Sequence, residues 1–96
     1  MENKTFDTEK WIAESEKEPE ENRRWSMTEE FQAVVKPGMS RPNVLRILGE
    51  PDSRRDRGGS LVETYYLGVP WGSIDTTWYD LTYKNDVLDS ISHHQG

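Results

Sequence analysis

The sequence predicts a small α+β domain in which two short helices pack on one face of a three-stranded antiparallel sheet, in the order ααβββ. Two segments with hydrophobic residues at helical spacing come first, and three segments rich in β-branched and aromatic residues follow. The connections between them contain glycine and proline, which favour turns. A chain of 96 residues suits one such domain.

The acidic charge is concentrated in front of this domain. Residues 1–30 carry ten acids and five bases, whereas residues 31–96 carry eight acids and seven bases. Residues 14–22 contain no hydrophobic side chain, and Pro19 would interrupt a helix. We therefore predict an acidic N-terminal segment over 1–24, partly disordered or short-helical, with 14–22 as a solvated linker, and the α+β domain over 25–96.

The N-terminal segment still contains side chains that can pack. Asp7 can cap a short helix that carries Trp11 and Ile12. Exposed aromatic residues on a disordered tail are unfavourable, so Phe6 and Trp11 are expected to dock on the domain.

The first predicted helix of the domain begins near Trp25. Ser26 or Thr28 can serve as its N-cap, and acids follow in the first turn. The apolar positions lie at helical spacing and comprise Met27, Phe31, Val34 and Val35.

The second predicted helix has a clear start, a buried face and a clear end. Ser40 is placed as the N-cap, and Pro42 falls in the first turn, where a missing N–H costs nothing. Gly49 is placed to close the helix and Pro51 prevents it from resuming. The predicted buried stripe is Val44, Leu45 and Leu48, with Ile47 at its edge.

Three later segments have strand character, at 61–67, 76–83 and 87–92. A tight turn at 84–86 joins the last two as a hairpin. Residues 52–60, which contain three arginines and the pair Gly58-Gly59, are predicted to form a loop. A second loop precedes the middle strand and carries Trp71 at its tip.

The stretch from Gly38-Met39-Ser40 to Leu48-Gly49-Glu50-Pro51, with strands after it, resembles the SmpA/OmlA (BamE-like) domain. The run from Arg24 to Phe31 is similar to the Arg-x-x-Met-x-x-x-Leu of small bacterial proteins of unknown function. The resemblance implies the ααβββ fold shared with β-lactamase inhibitor proteins, and a protein-binding role without catalysis. BamE-like proteins also carry a signal peptide and a lipidated cysteine. Neither is present in this sequence, so the envelope role does not carry over.

Composition argues against several functions. A net charge of −6 disfavours binding to nucleic acid and to anionic membranes. The absence of cysteine excludes disulfides, thiolate metal sites and thiol nucleophiles. No signal peptide, lipidation cysteine or transmembrane segment is recognisable, which leads us to expect a cytoplasmic protein without membrane insertion.

The candidate catalytic and ligand-binding residues are few. His93 and His94 are adjacent near the C-terminus, where neighbours on a strand would point to opposite faces, and a solvated tail is the favoured interpretation. Gly58-Gly59 lacks the spacing of a phosphate loop, and a hairpin-like connection is favoured. Arg54, Arg55 and Arg57 could bind an acidic partner, although an ordinary solvated loop is favoured. We expect no enzyme activity, no cofactor and no metal.

Alternation along the strands gives the best functional hypothesis. If Tyr79, Leu81 and Tyr83 face the helices, then Trp78, Asp80 and Thr82 face away, and one of two adjacent tyrosines joins them. The predicted protein-binding residues are Trp78, Tyr66, Trp71, Asp80 and Thr82.

These residues would bind an unidentified protein partner, as in an inhibitor or immunity-like protein, or a second copy of the chain. Two alternatives stay open. The N-terminal segment could instead cover this face, with Phe6 and Trp11 against Trp78. The chain could also bind a small ligand or metal, or act as an enzyme, through His93, His94 and nearby acids.

Overall fold

The computed structural model describes residues 6–96 and confirms the α+β class. The helices are α1 (Thr8–Glu14), α2 (Thr28–Val34) and α3 (Arg41–Leu48), and a 3₁₀ turn (Arg24–Met27) leads into α2. The strands are β1 (Ser53–Arg57), β2 (Ser60–Gly68), β3 (Thr77–Lys84) and β4 (Val87–Gln95). They form one antiparallel sheet in the order β1-β2-β3-β4. The prediction of three strands therefore misses β1, whereas α1 lies where a short helix was predicted in the N-terminal segment.

Strand β1 lies in the segment that was expected to be a loop. Its sequence, Ser-Arg-Arg-Asp-Arg, has no hydrophobic alternation because it pairs at the edge of the sheet and every residue in it is exposed. Gly58 and Gly59 make the two-residue turn into β2, both with positive φ. The expected hairpin-like connection is thus confirmed, although its first strand was not foreseen.

Helix α1 begins as predicted, with the side chain of Asp7 accepting a hydrogen bond from the backbone N–H of Lys10 at 3.0 Å. Trp11 is fully buried, 5.5 Å from the ring of Phe31 and 6.3 Å from that of Tyr65. Ile12 does not share this environment and remains largely exposed. Trp11 therefore belongs to the core formed by the later helices and the sheet. The proposed domain boundary at residue 24 stays a prediction.

The expected N-cap of α2 is wrong. Met27 occupies that position without a side-chain cap, because the 3₁₀ turn brings the chain into the helix directly. The hydroxyls of Ser26 and Thr28 instead donate to the backbone carbonyls of Arg23 and Trp25.

Helix α3 agrees closely with its prediction. Ser40 caps it by accepting from the N–H of Asn43 at 3.4 Å, and Pro42 lies in the first turn. Gly49 ends it with a φ of 74°, which favours glycine. Val44 and Leu48 are buried, while the expected core residue Leu45 is only half-buried.

The core lies between the helices and one face of the sheet. Tyr79 stacks on Phe31 of α2 at 4.5 Å, and the hydroxyl of Tyr65 donates to the carbonyl of Gly49 at 2.8 Å. The other buried strand residues of this cluster are Leu67, Leu81, Tyr83 and Leu88. The predicted orientation of Tyr79, Leu81 and Tyr83 toward the helices is therefore confirmed.

The predicted linker, residues 14–22, is solvated in its middle and buried at both ends. Glu16, Glu18 and Glu20 are exposed, as expected for a linker. Glu14 and Asn22 are buried, so the linker prediction is wrong for these two residues. A hydrogen bond also connects the segment to the residue after β2: the N–H of Val69 donates to the carbonyl of Pro19 at 3.2 Å.

Among the helices of residues 6–96, none has the length and apolar character needed to cross a membrane.

Candidate functional site

The face of the sheet opposite the helices, which we call the outer face, is ordered by the strand register. One row across the sheet contains Tyr66, Trp78 and His94. The next row contains Ser53, Thr64, Asp80 and Ser92, and a third contains Arg55, Val62, Thr82 and Ser90. Because residues directly opposite each other in an antiparallel pair share a face, these side chains form one surface.

Asp80 is the centre of a polar cluster on the outer face. Its Oδ1 accepts a hydrogen bond from the Thr64 hydroxyl at 2.6 Å. Its Oδ2 lies 3.4 Å from Arg55 Nη2 and 3.3 Å from His94 Nε2. The Asp80 side chain is 12% exposed, so these partners replace most of its water. These contacts bring Arg55 and His94 together beside Asp80 on the surface.

The aromatic row lies beside this cluster. The ring of His94 stacks on that of Trp78, with centroids 5.7 Å apart and planes 21° apart. Tyr66 on the neighbouring strand is 44% exposed. A shallow groove of about 390 Å³ runs along this part of the face and is lined by Ser53, Arg55, Thr64, Tyr66, Thr76 and Trp78. An aromatic platform with an arginine at its side is therefore accessible from solvent.

The predicted site residues fall into two groups. Trp78, Tyr66, Asp80 and Thr82 all lie on the outer face, and of the two adjacent tyrosines it is Tyr66 that faces outward. Trp71 lies off the sheet in the loop between β2 and β3, where it is 88% exposed. Whether any of these five residues binds a protein is a separate question, and their binding role stays a prediction.

Sequence reasoning missed Arg55, Thr64 and His94, the three residues whose side chains contact Asp80 on the outer face. Arg55 and His94 were assigned to a loop and a solvated tail because β1 and the end of β4 lack hydrophobic alternation. The strand register could have placed His94 on the outer face. The two-residue turn at 85–86 pairs Lys84 with Val87, and one extra residue in β4 between Leu88 and Ser90 shifts the later pairs so that His94 lies opposite Trp78.

The alternative that the N-terminal segment covers the outer face is wrong for the residues described. Trp11 is buried on the opposite side of the sheet, and Phe6 lies 5.3 Å from it. Trp78 keeps partial exposure.

The two histidines lie on opposite faces, as the alternation predicts. His94 faces Trp78 and Asp80, while His93 contacts the edge of the Tyr79 ring at 5.4 Å on the helix side. Within residues 6–96 there is no cluster of three histidine, aspartate or glutamate side chains that could hold a metal. Joint use of His93 and His94 as ligands is therefore not supported by their geometry.

A second charged cluster, on the helix side of the sheet, is structural in character. Glu63 is fully buried in β2, and its Oε2 accepts from Arg41 Nη2 at 2.8 Å and from Arg54 Nε at 2.7 Å. Hydrogen bonds to Glu63 raise the pKa of both guanidinium groups. Burial, and then the charge of Glu63, raises the pKa of the nearby Tyr83 hydroxyl. Raised pKa values keep the protons on Arg41, Arg54 and Tyr83 near neutrality, so none of these three side chains is poised for proton transfer.

Comparison with known proteins gives no assignment, since no family model, curated protein or solved structure matches the chain. The resemblance to the SmpA/OmlA domain therefore stays a prediction based on the capping and closing residues of α3.

Proposed function

We propose that this protein is a non-enzymatic protein–protein interaction module that binds its partner through the outer face of the sheet. The observation that carries the proposal is the accessible row Tyr66, Trp78 and His94 with Arg55 beside it. Tyrosine, tryptophan and arginine are the residue types that dominate the energetics of protein interfaces. Side chains held in place before binding lose less conformational entropy when a partner docks, which favours affinity.

The charge of the outer face suggests what the partner carries. Arg57 and Lys84 lie in one further row of this face, next to the row of Arg55. The acids near them are already engaged, Asp80 by Arg55 and His94, and Asp89 by Lys84 at 3.7 Å. This face is thus more basic than the chain as a whole, whose net charge is −6. We propose a partner that presents acidic residues around an apolar or aromatic contact.

The proposal is tested by capturing proteins from native lysate with the wild-type chain and with Trp78→Ala. Trp78 is only half-buried, so the variant is expected to fold, which circular dichroism checks. We expect loss of the captured partner, because truncation of a central aromatic residue in an interface costs about 2 kcal/mol or more, roughly a 30-fold loss of affinity. An unchanged set of captured proteins would contradict the proposal.

Trp71→Ala serves as the companion variant. Trp71 is nearly fully exposed in a loop, so its truncation leaves the sheet unchanged. Loss of capture in this variant as well would extend the binding surface to the loop between β2 and β3. Retained capture would confine it to the strands.

A second candidate function uses His94 as a base or ligand. It is favoured by the distance of 3.3 Å between His94 Nε2 and Asp80 Oδ2, since a carboxylate can orient an imidazole for proton transfer. A thermal-shift screen against nucleotides, sugars and metals tests it. A stabilising ligand whose effect disappears in His94→Ala would favour this function over protein binding.

A further inference from the structure

Strand β4 forms one edge of the sheet, and most of that edge is open among the residues described. Its first two residues are covered by the chain before α3. The N–H of Gly38 donates to the carbonyl of Leu88 at 2.7 Å, and the N–H of Leu88 donates to the carbonyl of Met39 at 2.8 Å. From Ser90 to Gln95 the described strands pair with β4 only on the β3 side, and Asp89 before them is the extra residue of a bulge, without a partner on β3. Six consecutive residues, 90–95, therefore present one regular side of their backbone to solvent.

The two edges of the sheet differ in how they are protected. The β1 edge carries three arginines and one aspartate in five residues, and charged side chains of this kind oppose pairing with another strand. From Asp89 to Gln95 the only acid or lysine/arginine side chain is Asp89, which Lys84 already contacts. Open backbone without charge protection favours addition of a strand.

We propose that the β4 edge pairs with the β4 edge of a second copy of this chain, antiparallel about a two-fold axis at Ser92. The result is a continuous eight-stranded sheet in which the helices of both copies lie on one side and both outer faces on the other. This inference is argued from the backbone edge of β4 and does not rest on the proposed partner binding, although the side chains of Ser92 and His94 also lie on the outer face.

The register follows from the symmetry and from the length of the open edge. A two-fold axis normal to the sheet keeps the faces matched, so residues that oppose each other must belong to the same face. With Asp89 in the bulge, an axis at Ile91 brings only residues 90–92 of each copy into regular register. Axes at Ser92 and at His93 each bring five residues into register, 90–94 and 91–95, but the axis at His93 would set the two His93 rings against each other. We therefore place the axis at Ser92, where two small side chains meet.

The pairs that this register creates are compatible. Ser92 meets its own copy, Ile91 meets His93, and Ser90 meets His94. No pair brings like charges together, whereas the same operation on β1 would place Arg55 against Arg55.

A groove on the helix side gives the second copy a place to pack. It has a volume of about 260 Å³, lies between α2 and β4, and is lined by Phe31, Gln32, Tyr79, Ile91 and His93. The proposed register sets Ile91 of the second copy opposite His93, at the mouth of this groove. An isoleucine that is half-buried in the single chain would then lose its remaining contact with water.

The test is a charge-exchange experiment at the axis. The wild-type chain, of 11.2 kDa, is expected to show a concentration-dependent rise toward twice that mass in sedimentation equilibrium. Ser92→Lys and Ser92→Glu each place two like charges against each other, so each variant alone is expected to stay monomeric. An equimolar mixture of the two is expected to dimerise, because lysine then meets glutamate. Ser92 is exposed but lies opposite Asp80 on β3, so circular dichroism checks that both variants keep the fold.

Ser53→Lys is the matched control, since Ser53 is an exposed serine in the opposite edge strand. It is expected to dimerise like the wild-type chain. A wild-type chain that stays monomeric up to its solubility limit, a dimer that persists in Ser92→Lys, or a mixture that stays monomeric would each overturn the proposal. A dimer abolished by Trp78→Ala but not by Ser92→Lys would assign self-association to the outer face instead.

A cross-link gives a second readout. The chain has no cysteine, so Ser92→Cys introduces a single thiol. Residues that oppose each other in a strand pair are close enough for a disulfide. We expect an oxidised Ser92→Cys dimer and no comparable dimer of Ser53→Cys, whereas equal cross-linking of the two would overturn the register.

Discussion

The side chain of Arg24 contacts both the N-terminal segment and the residue that precedes the first strand of the sheet. Its side chain is 1% exposed, its guanidinium lies 4.3 Å from the centre of the Trp11 ring, and its Nε donates to the carbonyl of Trp11 at 2.7 Å. Its Nη1 lies 3.4 Å from Asp52 Oδ2, which also accepts from the N–H of Tyr66. Burial lowers the pKa of Arg24, and the charge of Asp52 opposes that shift. The guanidinium stays charged and connects α1, through Asp52, to the start of β1 and to the inner strand β2.

Glu14 has a similar role at the end of α1 and offers a test by pH. Its buried carboxylate accepts from Lys17 Nζ and from the N–H of Arg23, each at 2.6 Å. Burial by itself raises the pKa of Glu14, but these hydrogen bonds and the neighbouring lysine charges outweigh it and lower the pKa below the ordinary glutamate value of 4.5. A lowered folded-state pKa means that the ionised form stabilises the fold.

We predict that Glu14→Gln lowers the free energy of unfolding by about 1–2 kcal/mol at pH 7, because hydrogen bonds to a charged carboxylate are lost. The stabilisation by Glu14 is complete above pH 4.5 and disappears as the pH falls through its lower folded-state pKa. Urea unfolding of both chains between pH 7 and strongly acidic pH measures this. The two stabilities should converge at low pH, and a constant difference across the range would contradict the ionic explanation.

At the residue scale the sequence supports only part of this picture. Asp7 is recognisable as a cap because its role depends on neighbours within one turn of helix. The burial of Arg24, Glu14 and Glu63 was not foreseen, since each depends on partners distant in sequence or on the path of the chain. A buried charge looks like any other charged residue until its partner is known.

At the element scale, local signals identified α3 and the hairpin of β3 and β4. The cap, buried stripe and closing glycine of α3 all act within a few residues. Strand β1 was missed because it contains no hydrophobic residue. An edge strand that is exposed on both faces has no alternation of hydrophobic and polar residues by which its sequence could be recognised. The last residues of β4 were missed for the same reason.

The two-residue turn between β3 and β4 allows a prediction about the stability of the hairpin. Asn85 and Asp86 have φ values of 53° and 62°, the left-handed conformation that a two-residue hairpin turn requires. Asp86→Val should lower the free energy of unfolding by about 1–2 kcal/mol, because a β-branched side chain is strained there. Asp86→Gly should leave it unchanged or raise it by about 0.5 kcal/mol, because glycine adopts positive φ without strain.

Thermal or urea unfolding of the two variants measures the difference between them. Because both remove the same carboxylate, the comparison isolates the backbone. Equal stability of Asp86→Val and Asp86→Gly would contradict the assigned turn.

At the scale of the whole molecule, the core and the candidate surface lie on opposite sides of one sheet. Trp11 packs in the core on the helix side of the sheet. Among the residues described, the N-terminal helix therefore does not cover Tyr66, Trp78 and His94 on the outer face. The sequence predicted which residues of β3 face each way because strand alternation is strict. It could not predict which side Trp11 would choose, since that depends on the path of the chain through residues 15–24.

The central claim is that one face of the sheet, and not the other, recognises a partner, and two adjacent histidines test it directly. His94 stacks on Trp78 on the outer face, whereas His93 contacts Tyr79 on the helix side, and both are exposed. The measurement is quantitative capture of the partner by His94→Ala and His93→Ala, which make the same change one residue apart. The account predicts reduced capture by His94→Ala and wild-type capture by His93→Ala; equal capture by the two, or a loss confined to His93→Ala, would contradict it.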